Sequence, residues 1–427
     1  MLDTLPAEII GDIASQLFLH ERRPARLTCR AINAGFEPYA LSTFRLGRNS
    51  LSKSSAIEFL EDIADGRCLW ARHVRKLEVY GFNVNPPEPE SEEVERRKAA
   101  ALTGALATMT EIHTINWEVR NNDLVWMHLA VQAALPHLAH LHNLSLNLML
   151  FHPSNPKTVA FDLSSAGRLE TLSVIFGAVS IELPSIATQL VGVVARSPEL
   201  ETLELYSQDF SALWKGLTST SCTLTNLTKL HTNHVDASLL HFLASQPLLH
   251  LTDLSLAADY TATDRESCAK LAQTFFESVL PRYAATLTAL SIRGRPFDRH
   301  WNADEFCVAA IRGMDLPRLR TLSLFVTRES QARLAANVHA ALGLIALLPA
   351  LATMSLAYAF SQFEMPMHCH VGPGSRVPLK DGIQLAIESL SIGDSEAGVI
   401  SGVEVRADSV YRLEPVSEGG WKFSPQS

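Results

Sequence analysis

Two clusters of histidine and sulfur side chains have the residue types and spacing for chemistry. His137, His140 and His142 crowd one short stretch, and His368, Cys369 and His370 stand beside Met365 and Met367. Imidazole, thiolate and thioether donors together suit a soft metal ion. Both clusters also have an ordinary explanation. The first interleaves with Leu138, Leu141 and Leu144, so its histidines fall on turn and strand-edge positions. The second lies in a Pro- and Gly-rich loop, Pro366 to Pro378, with no distant partner at ligand spacing. Cys29 reads as a packing residue of a helix, because no histidine and acid are set to activate it. Gly-x-Ser-x-Gly, phosphate-loop and dinucleotide patterns do not occur. The expectation is no metal, no cofactor and no catalysis, and the enzymatic rival is a hydrolase using His368, Cys369 or a serine from the row described next.

Those serines belong to a phrase that recurs eleven times between Val74 and Ile392, with apolar residues at positions one, four and six. Examples are Leu141-Leu144-Leu146, Leu200-Leu203-Leu205, Leu319-Leu322-Leu324 and, last, Ile387-Leu390-Ile392. Positions four and six alternate on a strand and share a face, while position one points to the same core from the preceding turn. One unit cannot bury that face alone and must stack on its neighbours. The fifth position holds Ser145, Ser173, Ser255, Ser291, Ser323, Ser355 and Ser391, small residues that let adjacent strands pack at their regular spacing. Glu78, Tyr80, Asn116, Glu204, Tyr206, His231, Arg293 and Phe325 interrupt this polar floor. Aromatic and arginine side chains carry interface energy out of proportion to their number, which makes Tyr206, Arg293 and Phe325 the candidate target contacts. Between the phrases run helical stretches closed by Pro136, Pro198, Pro247, Pro281, Pro317 and Pro349, since proline lacks the amide hydrogen a helix needs.

This strand, loop, helix, stop unit resembles the leucine-rich repeat family in its irregular form. The asparagine that commonly follows the strand in that family occurs here only sporadically, as at Asn147 and Asn233. The fold class implied is α/β, a horseshoe-shaped solenoid over residues 70–395 with a tail at 396–427.

Residues 1–46 follow another pattern. Pro6 opens a helix with Glu8 near its positive end, and Ile9, Ile13 and Leu17, widened by Ile10, form one apolar face. Leu27, Ala31 and Ala34, with Ile32 and Phe36, suggest a second helix that Pro38 ends. Leu5-Pro6, the aliphatic run to Leu17, Leu27-Thr28-Cys29-Arg30 and Pro38 to Phe44 resemble the F-box in order and spacing. His20-Glu21-Arg22-Arg23-Pro24 stands where that family usually has an acidic residue followed by leucine. The resemblance implies a helical module that docks a Skp-family adaptor, and through it a cullin, using Leu5, Pro6, Ile9, Ile10, Ile13, Leu17, Leu27 and Cys29. Joined by a linker helix at 47–69 to leucine-rich repeats, it implies the substrate receptor of a cullin-RING ubiquitin ligase. Two alternatives stay open: a helical cap that only covers the end of the repeats, and a leucine-rich scaffold with no ligase role.

Composition narrows the setting. Six cysteines with no Cys-x-x-Cys pair suggest a reducing compartment, cytoplasmic or nuclear. The amino terminus has no secretory pattern. A net charge of -9 opposes general nucleic-acid binding. Leu334 to Phe363 lacks Asp, Glu, Lys and Arg, but Pro349 divides it and Leu351-Met354-Leu356 continues the repeat, so it reads as a buried helix and strand rather than a membrane span. A proline-rich loop at 83–90 precedes a helix capped by Ser91, with Glu92–Arg96 and Glu93–Arg97 spaced as ion pairs.

Overall fold

The computed structural model describes residues 5–47, 55–80, 91–120, 123–149, 162–177, 183–207, 209–220, 222–248, 250–258, 265–295, 300–327, 331–358, 379–392, 402–407, 409–415 and 421–426. The chain is mixed α/β, and it divides into two compact units, Met1–Leu200 and Glu201–Ser427.

The first unit opens with three helices, α1 (Ala7–Gln16), α2 (Leu19–Ala25) and α3 (Arg30–Ala40), followed by β1 (Thr43–Leu46). Three helices rather than two separate this region from the sequence expectation. Pro38 lies inside α3, which runs two residues past it; in a last turn the missing N–H forfeits only one terminal hydrogen bond. Cys29 does pack, partly buried, against the helical core, but from outside the helix body. It is the N-cap of α3, its sulfur accepting from the Ile32 N–H at 3.5 Å.

The strands β2 (Lys76–Val79), β3 (Thr114–Arg120), β4 (Asn143–Met149) and β5 (Thr171–Gly177) complete this unit with helices between them. β1 through β5 pair in order, all parallel, and their register aligns Phe44, Leu77, Ile115, Leu144 and Leu172 in one row and Leu46, Val79, Trp117, Leu146 and Val174 in another. Every one of these is buried. The apolar tail after Pro38 is therefore the first strand of the sheet, which the phrase count, starting at Val74, does not include. Ser91 caps Glu92–Thr108 as expected, accepting from the Val94 N–H. Arg96 pairs with Glu93. Arg97 turns instead to Glu61 on the neighbouring helix Ser55–Ala64, through two contacts of 2.9 Å. Residues 83–90 lie outside the described residues.

The second unit carries β6 (Thr202–Tyr206), β7 (Lys229–Thr232), β8 (Asp253–Ala257), β9 (Ala289–Arg293), β10 (Thr321–Val326), β11 (Thr353–Tyr358), β12 (Ser391–Ile392), β13 (Glu404–Arg406), β14 (Val410–Pro415) and β15 (Trp421–Pro425). β6 to β11 again pair in sequence order and in parallel. Leu203, Leu230, Leu254, Leu290, Leu322 and Met354 form one buried row, and the position-one residues Leu227, Leu251, Leu287, Leu319 and Leu351 are buried as well.

The eleventh phrase does not behave like the others. Ile387 lies in helix Leu379–Ser389, and β12 pairs antiparallel with β15. The parallel neighbour of β11 is β13, beyond the expected boundary at 395. β13, β14 and β15 then run antiparallel, so part of the segment expected as a tail is sheet. Ser391 consequently leaves the serine row, and Arg406 stands beside Ser355 in its place.

α-Helices end before Pro136, Pro198, Pro247, Pro317 and Pro349, although a short 3-10 turn, Leu135–His137, carries Pro136 past the end of Val125–Ala134. Pro281 is the exception, because the chain passes from Arg265–Thr274 through the wide turn Phe275–Val279 and continues helically over Leu280–Tyr283. The Leu280 N–H bonds five residues back to Phe275, and this shift places the donor-less proline at a helix start, where it is tolerated. Gln331–Leu342, a short turn at Ile345–Leu347 and β11 account for the described part of the uncharged stretch, and among the described residues no helix is long and apolar enough to cross a membrane.

Candidate functional site

Two surfaces hold the residues that sequence reasoning selected. On the N-terminal module, Ile10, Ala14, Ile32 and Phe36 make the core, with Leu5, Leu17, Ala25, Cys29 and Tyr39 partly buried against it. α3 approaches α1 closely because Gly35 has no side chain; a Cβ there would collide with Ile10. Arg22 ties the corner together. Its guanidinium donates to the carbonyls of Leu17 (2.7 Å) and Ser15 (3.0 Å), satisfying groups that the end of α1 leaves open. Glu21 turns back to accept from the Phe18 N–H at 2.8 Å, closing the start of α2.

This packing sorts the eight expected adaptor contacts. Ile10 faces inward and is not available to a partner, whereas Leu5, Leu17 and Cys29 are half-buried. Pro6 is exposed, Ile9 is 44% and Ile13 39% exposed, and Leu27 reaches 77%. Phe18, which the sequence reading passed over, is 71% exposed. Its signal was the break in the α1 stripe, since a phenylalanine just after the helix cannot join the face that Ile10 and Ala14 bury. Of the twelve large exposed apolar residues among those described, four fall within the first 27 positions. Exposed apolar residues concentrated in this way are the feature a docking surface requires.

The second surface is the polar face of β6 to β11. The register confirms the row Glu204, His231, Ser255, Ser291, Ser323 and Ser355. Tyr206, Arg293 and Phe325 stand two positions further along their strands, all half-buried. Although far apart in sequence, Arg293 and Phe325 meet: the guanidinium lies 5.4 Å from the ring centre, a cation–π arrangement that fixes both side chains. Tyr206 feels the same arginine. Burial pushes its phenol above the ordinary range, Glu204 adds to this and the Arg293 charge opposes it.

At the other end of this face the charges pair among themselves. Lys229 contacts Glu204 at 2.8 Å, and His231 places Nε2 3.0 Å from Asp253 and Nδ1 3.8 Å from Glu204. Both imidazole nitrogens thus face carboxylates and neither serves Ser255, so the grouping is an ion-pair lattice rather than a nucleophile with its base. Lys229 and Asp253 escaped the sequence reading. They lie two positions before His231 and Ser255 on their strands, and the two-residue period of a strand puts them on the same face.

The remaining candidates resolve differently. His140 and His142 do gather with a third histidine, but it is His113, with ring centres 5.8 and 5.7 Å away, while His137 stays apart on an exposed turn. Among the described residues no group of three or more His, Cys, Asp or Glu is placed to hold a metal. His368, Cys369, His370, Met365 and Met367 lie outside the described residues. Glu78 sits buried between Arg45 and Lys76, both at 2.7 Å, and accepts from the Tyr80 hydroxyl. Trp117 donates to Nδ1 of the buried His128 at 2.9 Å, which leaves Nε2–H for Asp123 at 3.1 Å. These groups hold β2 and β3 in place through hydrogen bonds and ion pairs.

No protein-family model matches this chain, and no curated protein matches it either.

Proposed function

We propose that the chain is the substrate-recognition subunit of an SCF-type cullin-RING ubiquitin ligase, an F-box module followed by leucine-rich repeats. The module would bind a Skp-family adaptor and the repeats a target protein. One observation carries this reading: the helical module formed by α1, α2 and α3, with its own buried core, presents Pro6, Ile9, Ile13, Phe18 and Leu27 outward. A module that only capped the sheet would turn these residues inward. The chain would catalyse nothing itself. Its contribution is proximity, which makes transfer of ubiquitin to the target a reaction within one complex.

The rival scaffold reading also has an observation behind it. β1 belongs to the sheet, with Phe44 and Leu46 buried in its rows, so the module runs directly into the first strand whether or not it docks an adaptor. The two readings separate in one experiment. Ile9→Ser with Ile13→Ser changes only exposed positions of α1, and loss of central anchors costs about 2 kcal/mol or more of binding energy. The full-length parent should co-purify with the adaptor and the double variant should lose it, with unchanged melting. A parent that does not bind the adaptor leaves the scaffold.

A further inference from the structure

The corner between α2 and α3 departs from local rules in two ways, and the departures sit together. Leu27 is the most exposed large apolar residue among those described, at 77%. Its exposure is not fraying, because the turn that carries it is held by the bonds Leu27 N to Pro24 O (3.0 Å), Thr28 N to Ala25 O (3.1 Å) and Thr28 Oγ1 to Ala25 O (2.8 Å). Arg30, the first residue of α3, sets a cation at the positive end of that helix, whose first turn contains no acid, against the dipole's preference. Arg26 lies four positions before it. Among the described residues no carboxylate pairs with Arg26 or Arg30.

The neighbouring charges are already engaged. Arg22 is taken by backbone carbonyls and Glu21 by the Phe18 N–H. Residues 18–30 hold four arginines, Arg22, Arg23, Arg26 and Arg30, against the single Glu21, in a chain whose net charge is -9. Opposite signs mark the other part of the apolar surface, where the exposed Glu8 and Asp12 accompany Ile9 and Ile13 on α1. Places where a sequence breaks its own local rules at no structural gain are those reserved for a partner.

We infer that Leu27, Arg26 and Arg30 form a steering contact for an acidic face of the adaptor, which supplies carboxylates to the two arginines and an apolar pocket to the leucine. This rests on the adaptor reading above and adds to it the charge of the partner's face. Arginines at a rim set the rate of encounter and the orientation of docking more than the lifetime of the complex, whereas a desolvated leucine anchor sets the lifetime.

The test uses the full-length chain and purified Skp-family adaptor, with association and dissociation rates measured at low and at high salt. For the parent, the association rate should fall about tenfold from low to high salt. Arg26→Glu with Arg30→Glu should lower the low-salt association rate about tenfold and remove most of the salt dependence, with Arg26→Gln and Arg30→Gln intermediate. Leu27→Ala should act mainly on dissociation. Arg312→Glu with Arg318→Glu, two exposed positions of the other unit with the same change in net charge, should leave the rates as in the parent. Parent-like rates in the Arg26/Arg30 variant, or an equal loss in the Arg312/Arg318 control, overturn the inference while the adaptor reading stands. A parent that does not bind the adaptor at either salt concentration overturns both.

Discussion

At the scale of single residues, Glu78 shows how far type and spacing can be read. Its place on the polar face follows from the strand period, but its partners come from three positions, Arg45, Lys76 and Tyr80, two of them on its own strand segment and one on β1. Burial pushes the Glu78 carboxyl up, yet hydrogen bonds from Lys76, Tyr80 and Arg45 together outweigh it and hold the group below the ordinary glutamate range. A depressed carboxyl binds fewer protons folded than unfolded, so its stabilisation is present above the ordinary value and disappears as pH falls through the folded one. Glu78→Gln should therefore weaken hydrogen-exchange protection of the β1 and β2 amides at neutral pH, and the gap from the parent should close below the ordinary glutamate range. A gap independent of pH would show that the carboxylate charge contributes nothing. The histidines teach the opposite lesson. His137, His140 and His142 are neighbours in sequence, but the strand register exchanges His137 for His113, 24 positions before the nearest of the three, and only the pairing of β3 with β4 reveals it.

The elements were legible wherever one repeating pattern fixed them. Ten of the eleven phrases fall on parallel strands because positions four and six must share a buried face, and a slip of one residue would turn that face outward. The eleventh carries the same letters but follows directly on helix Leu379–Ser389, and helix packing claims Ile387 before a strand can use it. β13, β14 and β15 had no phrase in register to announce them, whereas β1 does carry one, Leu41-Phe44-Leu46, ahead of the eleven that were counted. Pro38 and Pro281 misled because the sequence does not show whether a proline falls at the start, the end or the middle of a helix. The face assignment itself has a direct check. Leu322 is fully buried and Ser323 half-buried on the opposite side of β10. Leu322→Ala should destabilise by about 2 to 5 kcal/mol through lost burial and an unfilled cavity, while Ser323→Ala should change little. Equal losses in urea unfolding would mean that the faces are reversed.

For the whole molecule, the two proposed surfaces fall in different compact units, the adaptor contacts in Met1–Leu200 and the target contacts in Glu201–Ser427. Sequence reasoning placed Tyr206, Arg293 and Phe325 on one face but treated them as separate points; the register of β9 and β10 joins two of them into a stacked pair that no linear spacing announces. That pair stands beside a floor of Ser291, Ser323 and Ser355, small hydroxylic side chains that let a target backbone approach closely while offering little energy of their own. Binding should then concentrate at the stack and at Tyr206, and replacing Tyr206, Arg293 and Phe325 together by Ala should remove target proteins from a pull-down of the full chain. Since a pre-stacked arginine and phenylalanine have already lost side-chain freedom before binding, the loss should exceed what three mobile contacts would give, on the order of 2 kcal/mol or more in total. Adaptor capture by the same variant should equal that of the parent, because every proposed adaptor contact lies in the other unit. If the triple variant keeps each partner of the parent, target recognition does not use this face; if it loses the adaptor along with the targets, the two surfaces are not independent and the division of labour between the units fails.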